Sequence, residues 1–329
     1  MRTVLEALNE GMHACLAESE KVYFLGEDIL DPYGGAFKVA RGLSSQYPQQ
    51  VITTPVSEAG MVGIAVGMAL RGYRPIVEIM FGDFLMLAAD QLINHASKFR
   101  WMSNDRVHVP LVVRTPMGGG RGYGPTHSQT LEKHLLGVPG MRIVAVTSLI
   151  DPAELLRSVV FEDDDPVLFV EHKALYPVQV QAWDQQDFDI LVSTGRYPVF
   201  HLRIAGAPST SATLISYGYM VEIALEAAHR LAYEREVFIE VIALTELIPD
   251  DPSVFDPVGE TGALLTLEEG SKTLGWGAEI VARCSERFGS LKSRRIASLD
   301  MPIPAAGTLE SAVLPGVEDV MRAVLEMVG

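Results

Sequence analysis

Two stretches of this sequence carry residue types and spacings from which catalysis could be built. The first is Thr53-Thr-Pro-Val-Ser-Glu58-Ala-Gly60, running into a segment, Met61 to Leu70, in which every residue is apolar or glycine. Ser57 is a suitable N-cap, Gly72 a suitable stop, and Pro75 bars continuation. Glu58 therefore falls in the first turn of a helix too apolar for a surface. Its carboxylate either complements the helix dipole or acts on protons at the rim of a buried region. Gly63 and Gly67, one turn apart, leave a face smooth enough for another backbone to approach. The second stretch is Thr115-Pro-Met-Gly118-Gly-Gly-Arg121-Gly-Tyr-Gly124-Pro-Thr-His127-Ser-Gln129. Its glycines fit neither G-x-G-x-x-G nor G-x-x-x-x-G-K-[ST], which argues against a nucleotide site. They suit a backbone passing close to a ligand or another chain. His127 fits proton transfer near neutral pH, or a structural role beside Ser128 and Gln129. Ser128 lacks the G-x-S-x-G setting of an activated nucleophile. No H-E-x-x-H or paired-cysteine spacing offers a metal site.

The elements that must hold these groups alternate between strand and helix. In the first half, residues 3–18 read as a helix, Val22–Leu25 as a strand ending in Gly26-Glu-Asp28, and Pro75–Phe81 as a strand. Asp83–Met102 reads as one long helix. Val109–Arg114 is a nearly unbroken β-branched run of the kind found in central parallel strands. Arg142–Val146, a helix near Pro152–Phe161 and Val167–Val170 follow. Such repetition argues for a parallel sheet covered on both faces. Residues 178–208 are irregular and read as a connection. A second α/β pattern then appears, with strands at Ala212–Ser216, Val237–Ala243, Gly262–Thr266 and Arg294–Ser298 and helices at Met220–Leu231, Trp276–Phe288 and Val317–Met327. The expected architecture is two α/β domains, 1–185 and 209–329, joined by a linker at 186–208.

Composition narrows the function classes. The 329 residues are 48% hydrophobic and 21% charged, as expected of a globular chain with a large core. No apolar run reaches the ~18–20 residues of a membrane span, so no membrane association is expected. The net charge of −16, from 42 acids against 26 bases, disfavours nucleic acid. It is compatible with a basic protein partner. Cys15 and Cys284 are far apart and give no disulfide framework, which suits a reducing, cytoplasmic setting.

A wider set of motifs occurs in order. Gly26-Glu-Asp28, Gly34-Gly-Ala-Phe-Lys-Val, Thr54-Pro-Val-Ser-Glu-Ala-Gly60, Gly72-Tyr-Arg-Pro-Ile-Val-Glu78 and Phe81-Gly-Asp-Phe84 come first. Asp90-Gln-Leu-Ile-Asn94, Lys98-Phe-Arg-Trp-Met-Ser103, His127-Ser-Gln129, Glu171-His-Lys-Ala-Leu-Tyr176, Leu267-Glu-Glu-Gly270, Gly275-Trp-Gly-Ala-Glu-Ile280 and Asp300-Met-Pro-Ile-Pro-Ala305 follow. Together they resemble the β subunit of the thiamine-diphosphate-dependent first component of 2-oxo acid dehydrogenase complexes, of pyruvate dehydrogenase type, over nearly the whole chain. The resemblance implies a pyrimidine-binding α/β domain followed by a transketolase C-terminal-type α/β domain. It implies that Glu58 hydrogen-bonds N1′ of the cofactor's aminopyrimidine, that Phe84 stacks on that ring, and that Glu27 borders the same pocket. His127 matches the histidine that handles protons or charge during acyl transfer. The family's structural potassium ion would fall on Leu111, Val160, Phe161, Asp163 and Asp165.

An absence completes that picture. The superfamily's diphosphate and Mg²⁺ anchor, Gly-Asp-Gly followed by an asparagine, does not occur in this sequence. The resemblance thus implies half a site, with an α subunit holding Mg²⁺ and the diphosphate in an α2β2 heterotetramer. The acyl acceptor would be a lipoyl carrier protein. The Gly-notched helix after Glu58 suits such a subunit interface. The sequence departs from the family at Leu244-Thr-Glu-Leu-Ile-Pro-Asp250, where Arg-Pro-Leu-Asp is usual. Two other functions are weighed: a two-component transketolase-like enzyme moving a two-carbon ketol unit, and a non-catalytic docking subunit.

Overall fold

The computed structural model describes residues 2–180 and 187–329. The expected boundary at 185/186 lies outside the described residues. The chain forms two compact units, Met1–Gly118 with His134–Val180, and Gly119–Lys133 with Gln181–Gly329.

In the first unit, β1 (Val22–Gly26), β2 (Val51–Thr53), β3 (Arg74–Glu78), β4 (Val112–Met117), β5 (Arg142–Ala145) and β6 (Val167–His172) form one sheet in the order β2-β1-β3-β4-β6-β5. Every pairing is parallel. All six residues of β4 and of β6 are buried, which explains their near-continuous apolar runs. The helices are α1 (Val4–Glu18), the single turn α2 (Leu43–Gln46), α3 (Glu58–Leu70), the single turn α4 (Phe99–Met102) and α5 (Pro152–Glu162). A capping box between Thr3 and Glu6 opens α1, and Asp151 with Pro152 opens α5. Instead of one helix over 83–102, the chain makes a 3₁₀ segment at Gly82–Ala88, a π-helical segment at Gln91–Ala96 and then α4.

The second unit contains β7 (Phe188–Val192), β8 (Val199–Ile204), β9 (Ala212–Tyr217), β10 (Ile239–Leu244), β11 (Ala263–Ser271) and β12 (Lys292–Ser298), in the order β12-β11-β9-β10-β8-β7. The four strands β12, β11, β9 and β10 are parallel, while β8 and β7 add an antiparallel edge. That hairpin lies where an irregular connection was expected. Phe200, Leu202 and Ile204 are buried while His201 and Arg203 are more exposed, the period-two pattern of a strand with one covered face. Helices α6 (Met220–Arg235), α7 (Asp256–Thr261), α8 (Trp276–Phe288), α9 (Gly307–Val313) and α10 (Val317–Val328) complete the unit. Among the described residues no helix is long and apolar enough to cross a membrane.

Candidate active site

Because the first sheet is wholly parallel, the carboxyl ends of its strands share one edge, where ligands of open α/β sheets bind. Glu27 immediately follows β1, α3 follows β2, and the Phe81–Phe84 turn follows β3. The fold therefore brings Glu27, Glu58 and Phe84 to the same edge. Ser57 caps α3, its Oγ accepting from the Gly60 N–H at 3.3 Å. The Ser57 N–H in turn donates to Glu27 Oε1 at 3.1 Å. Glu58 is only 6% exposed, as is Glu27. Burial raises the Glu27 carboxyl above its usual range, the Glu58 charge adds to that, and the Ser57 N–H opposes it. Two buried carboxyl groups thus sense one another electrostatically at the start of an apolar helix, an arrangement suited to proton chemistry. Phe84 is half-buried, edge-on to Phe81 with ring centroids 5.8 Å apart. Phe81 in turn meets Phe37 at 5.3 Å, and Phe37 meets Tyr176 at 5.5 Å. These rings pack edge to face as an apolar aromatic cluster, with half-buried Phe84 as the member that could offer a face to a heteroaromatic ring.

Behind this edge lies an ionic cluster to which the sequence reading gave no role. Arg114 on β4 donates through Nε to Glu171 Oε1 at 2.7 Å and through Nη2 to Glu171 Oε2 at 2.6 Å. Its Nη1 pairs with Glu78. Tyr176 adds a hydroxyl donor to Glu171 Oε2 at 2.7 Å. All four side chains are buried. Burial pushes Glu78 upward against the pull of Arg114, so one guanidinium serves two carboxyl groups. Charged residues inside otherwise apolar strands (Val-Val-Arg114-Thr and Ile-Val-Glu78) were the available signal. His172, on β6, presses its ring against Gly118, where φ is +90° and a Cβ would lie 1.8 Å from Nε2.

The five residues matched to potassium lie at the opposite, amino-terminal edge of the sheet, before β4, before β6 and at the end of α5. Oxygens of three of the five, Val160, Asp163 and Asp165, are engaged by arginines of the chain itself. Arg74 Nη1 donates to the Val160 and Asp163 carbonyls, both at 2.8 Å, and Nη2 to Asp164 Oδ1 at 2.9 Å. The Leu111 carbonyl accepts the Val167 N–H at 2.8 Å. Arg100 Nη1 reaches Asp165 Oδ2 at 2.8 Å, and Arg142 lies 3.4 Å from Asp163. A further cation on the Val160 and Asp163 carbonyls would stand against a guanidinium. With Arg74 on the Val160 and Asp163 carbonyls, the five positions as arranged here do not form an open potassium cage. Among the described residues no group of three or more His, Cys, Asp or Glu could hold a metal ion.

His127 belongs to the second unit, on the Gly119–Lys133 segment. It is half-buried, with Thr126 Oγ1 3.0 Å from its Nδ1. Gly118, Gly120, Gly122 and Gly124 all have positive φ, which explains why the segment before it needs glycine at alternate positions. The Gly119 N–H donates to Glu269 Oε1 at 2.7 Å. The Gly120 and Gly122 N–H groups donate to Glu310 Oε1 and Oε2 at 2.9 and 3.1 Å. At its far end Lys133 Nζ donates to Ser271 and to the Thr273 carbonyl. Glu132 accepts the Tyr217 hydroxyl, and burial raises its carboxyl. On β11, Glu268 accepts the Trp276 and Gly277 N–H groups at 2.7 and 2.8 Å, serving as the cap that Gly275 cannot supply to α8. Burial dominates those two bonds and, with the Glu132 charge, lifts Glu268 to about 7.

A family model described as transketolase, pyrimidine binding domain, matches residues 1–179, and one described as transketolase, C-terminal domain, matches residues 204–320. The chain is 38% identical over 334 residues to the mitochondrial pyruvate dehydrogenase E1 component subunit beta of Drosophila melanogaster, covering 99% of this chain and 89% of that one. It is 37% identical over 330 residues to the mitochondrial subunit beta-1 of Arabidopsis thaliana, covering 98% and 88%. Among solved structures, a split-gene transketolase described as an inactive beta4 tetramer superposes with a TM-score of 0.74 at 17% identity, covering 99% of this chain and 98% of that one, a likeness of fold alone.

Proposed function

From the chain's membership of the pyruvate dehydrogenase E1 component β-subunit family, we propose how its residues serve a thiamine-diphosphate-dependent decarboxylation. The observation that carries the reading is the capped, buried Glu58 with Glu27 at the carboxyl edge of the parallel sheet. The donor set fits an aminopyrimidine: a buried carboxyl for a ring nitrogen, beside an aromatic cluster. When bound, the cofactor supplies the electron sink for decarboxylation. Glu58 would hold the ring through a hydrogen bond to its nitrogen N1′ and so favour one tautomer of it. Glu27, through its bond from the Ser57 N–H, fixes the start of the helix that carries Glu58. Phe84 stacks on the ring and excludes water. His127 stabilises charge, or passes a proton, as the acyl group leaves for its acceptor.

The remaining parts of the proposal rest on what this chain lacks. With no Gly-Asp-Gly, it leaves Mg²⁺ and the diphosphate to an α subunit, in an α2β2 heterotetramer. The substrate is pyruvate and the acceptor a lipoyl carrier protein. The location is cytoplasmic, with Cys15 and Cys284 both buried as free thiols.

Calorimetry of thiamine diphosphate with Mg²⁺ tests the split site. Tight binding is expected only when the chain is co-expressed with its α partner, and tight binding by this chain alone would refute it. Glu58→Ala is expected to remove thiamine-dependent turnover while the melting temperature stays within ~3 °C, since a capped helix loses only ~1 kcal/mol of dipole interaction. Retained turnover would end the role given to Glu58.

A further inference from the structure

We propose that Glu310 is a positioning residue for the loop that carries His127, its carboxylate filling an anion-binding nest that the loop's own backbone forms. The proposal rests on the role given to His127 above. Alternation of positive and ordinary φ turns successive N–H groups toward one side of the chain, making a concavity that binds anions. Gly118, Gly120, Gly122 and Gly124 supply that alternation. In many proteins such a concavity holds a phosphate. Here it holds a carboxylate of the same unit. Glu310 spans the turn with its two oxygens, one on the Gly120 N–H and the other on the Gly122 N–H. Glu269 takes the adjacent Gly119 N–H. Glu310 is 4% exposed and Glu269 5%, so water competes weakly for these amides.

The fit is steric as well as electrostatic. A Cβ at Gly119 would lie 2.6 Å from Leu314 and 3.2 Å from Glu310 Oε1, and one at Gly122 would lie 3.1 Å from the Ala305 carbonyl. The turn is therefore seated against α9 and the segment before it. Only four residues separate Gly122 from His127, and the Gly124 carbonyl accepts the His127 N–H at 3.3 Å. Displacement of the turn is passed directly to the histidine. Glu310 touches no reacting atom in this account. Its effect is the placement of a group that does.

The test uses the chain assembled with its α partner and the variants Glu310→Ala, Glu310→Gln and His127→Ala. Charge-assisted bonds to backbone amides are strong enough that their loss should speed hydrogen exchange at Gly120 and Gly122 by about 10- to 100-fold in Glu310→Ala. Glu310→Gln, which keeps one acceptor oxygen, should fall between. In parallel, kcat for acyl transfer to a lipoyl domain should drop about tenfold or more in Glu310→Ala, the loss expected when a proton-transfer group is misplaced. Decarboxylation read with an artificial oxidant, and KM for the 2-oxo acid, should stay as in the parent. Unchanged exchange would overturn the proposal, and so would faster exchange with undiminished transfer. If Glu310→Ala does not assemble, the same two readouts on Glu310→Gln decide. Full transfer by His127→Ala would instead defeat the role of His127, while exchange would still report whether Glu310 holds the turn.

Discussion

Glu268 offers a test in which the sign of an effect changes with pH. Its carboxyl stands at about 7 against a reference of 4.5. At ~1.36 kcal/mol per unit, that difference corresponds to ~3 kcal/mol. The carboxyl is raised, so the native state holds its proton longer than the unfolded chain does. Its favourable contribution is complete below pH 4.5 and is lost as pH rises through about 7. Glu268→Gln keeps the shape and removes the titration. The amide accepts only one of the two N–H groups from Trp276 and Gly277, a fixed loss of ~1 kcal/mol. The variant should therefore be the less stable protein by ~1 kcal/mol near pH 4 and the more stable by ~2 kcal/mol near pH 8, with the two nearly equal close to pH 5. An unfolding entropy of ~2.1 cal/mol/K per residue over 329 residues converts these to a melting-temperature difference running from about −1 °C to about +3 °C. Paired thermal melts from pH 4 to 8 measure it, and making both proteins in a Glu132→Gln background removes the coupled titration of Glu132. A difference that stays constant across that range would refute the reasoning.

Arg114→Met leaves Glu78 and Glu171 buried without their shared cation, and unpairing of this kind costs ~3–5 kcal/mol. Denaturant unfolding should show that loss near pH 8 and a smaller one near pH 5, where the raised Glu78 carboxyl takes up a proton; equal losses at both would contradict the charge argument. Because Arg74 already occupies the Val160 and Asp163 carbonyls, replacing potassium by choline at constant ionic strength should move the melting temperature by less than about 1 °C, within the screening effects on surface charge. A potassium-specific rise would show that the ion displaces the guanidinium.

The central parallel strands were legible because burial on two faces leaves apolar runs that little else produces, as in Val109-Pro-Leu-Val-Val. The β4 strand nevertheless begins at Val112, since Pro110 has no N–H to give to a ladder. Residues 82–102 could not be read correctly. Their apolar spacing suits 3₁₀, α and π windings almost equally, and packing selects among them. The β7–β8 hairpin was hidden by its setting among polar residues, although the alternation from Phe200 to Ile204 was there to be seen. Glu58 could be picked out because a helix start is a local event. Arg114 with Glu78 and Glu171, or Glu310 with Gly120, could not be. Their partners lie 36, 57 and 190 positions away, and nothing local marks which distant charge a buried group will meet.

The chain passes from one compact unit to the other at Gly118, at Lys133 and again at Val180. No single cut can therefore release the second unit whole. A fragment starting at 181 would contain the region matched as a C-terminal domain, yet Glu269 and Glu310 would have lost three backbone donors, and Tyr217 its carboxylate partner. What behaves as a module in inheritance is thus smaller than what coheres as a body. A gene rearrangement that moved the C-terminal half alone would strand an acidic cradle with nothing to hold, and a donor of the first half would carry away a loop whose anchors it does not encode. The interdigitated loop ties the two halves to a common descent more tightly than a simple linker could.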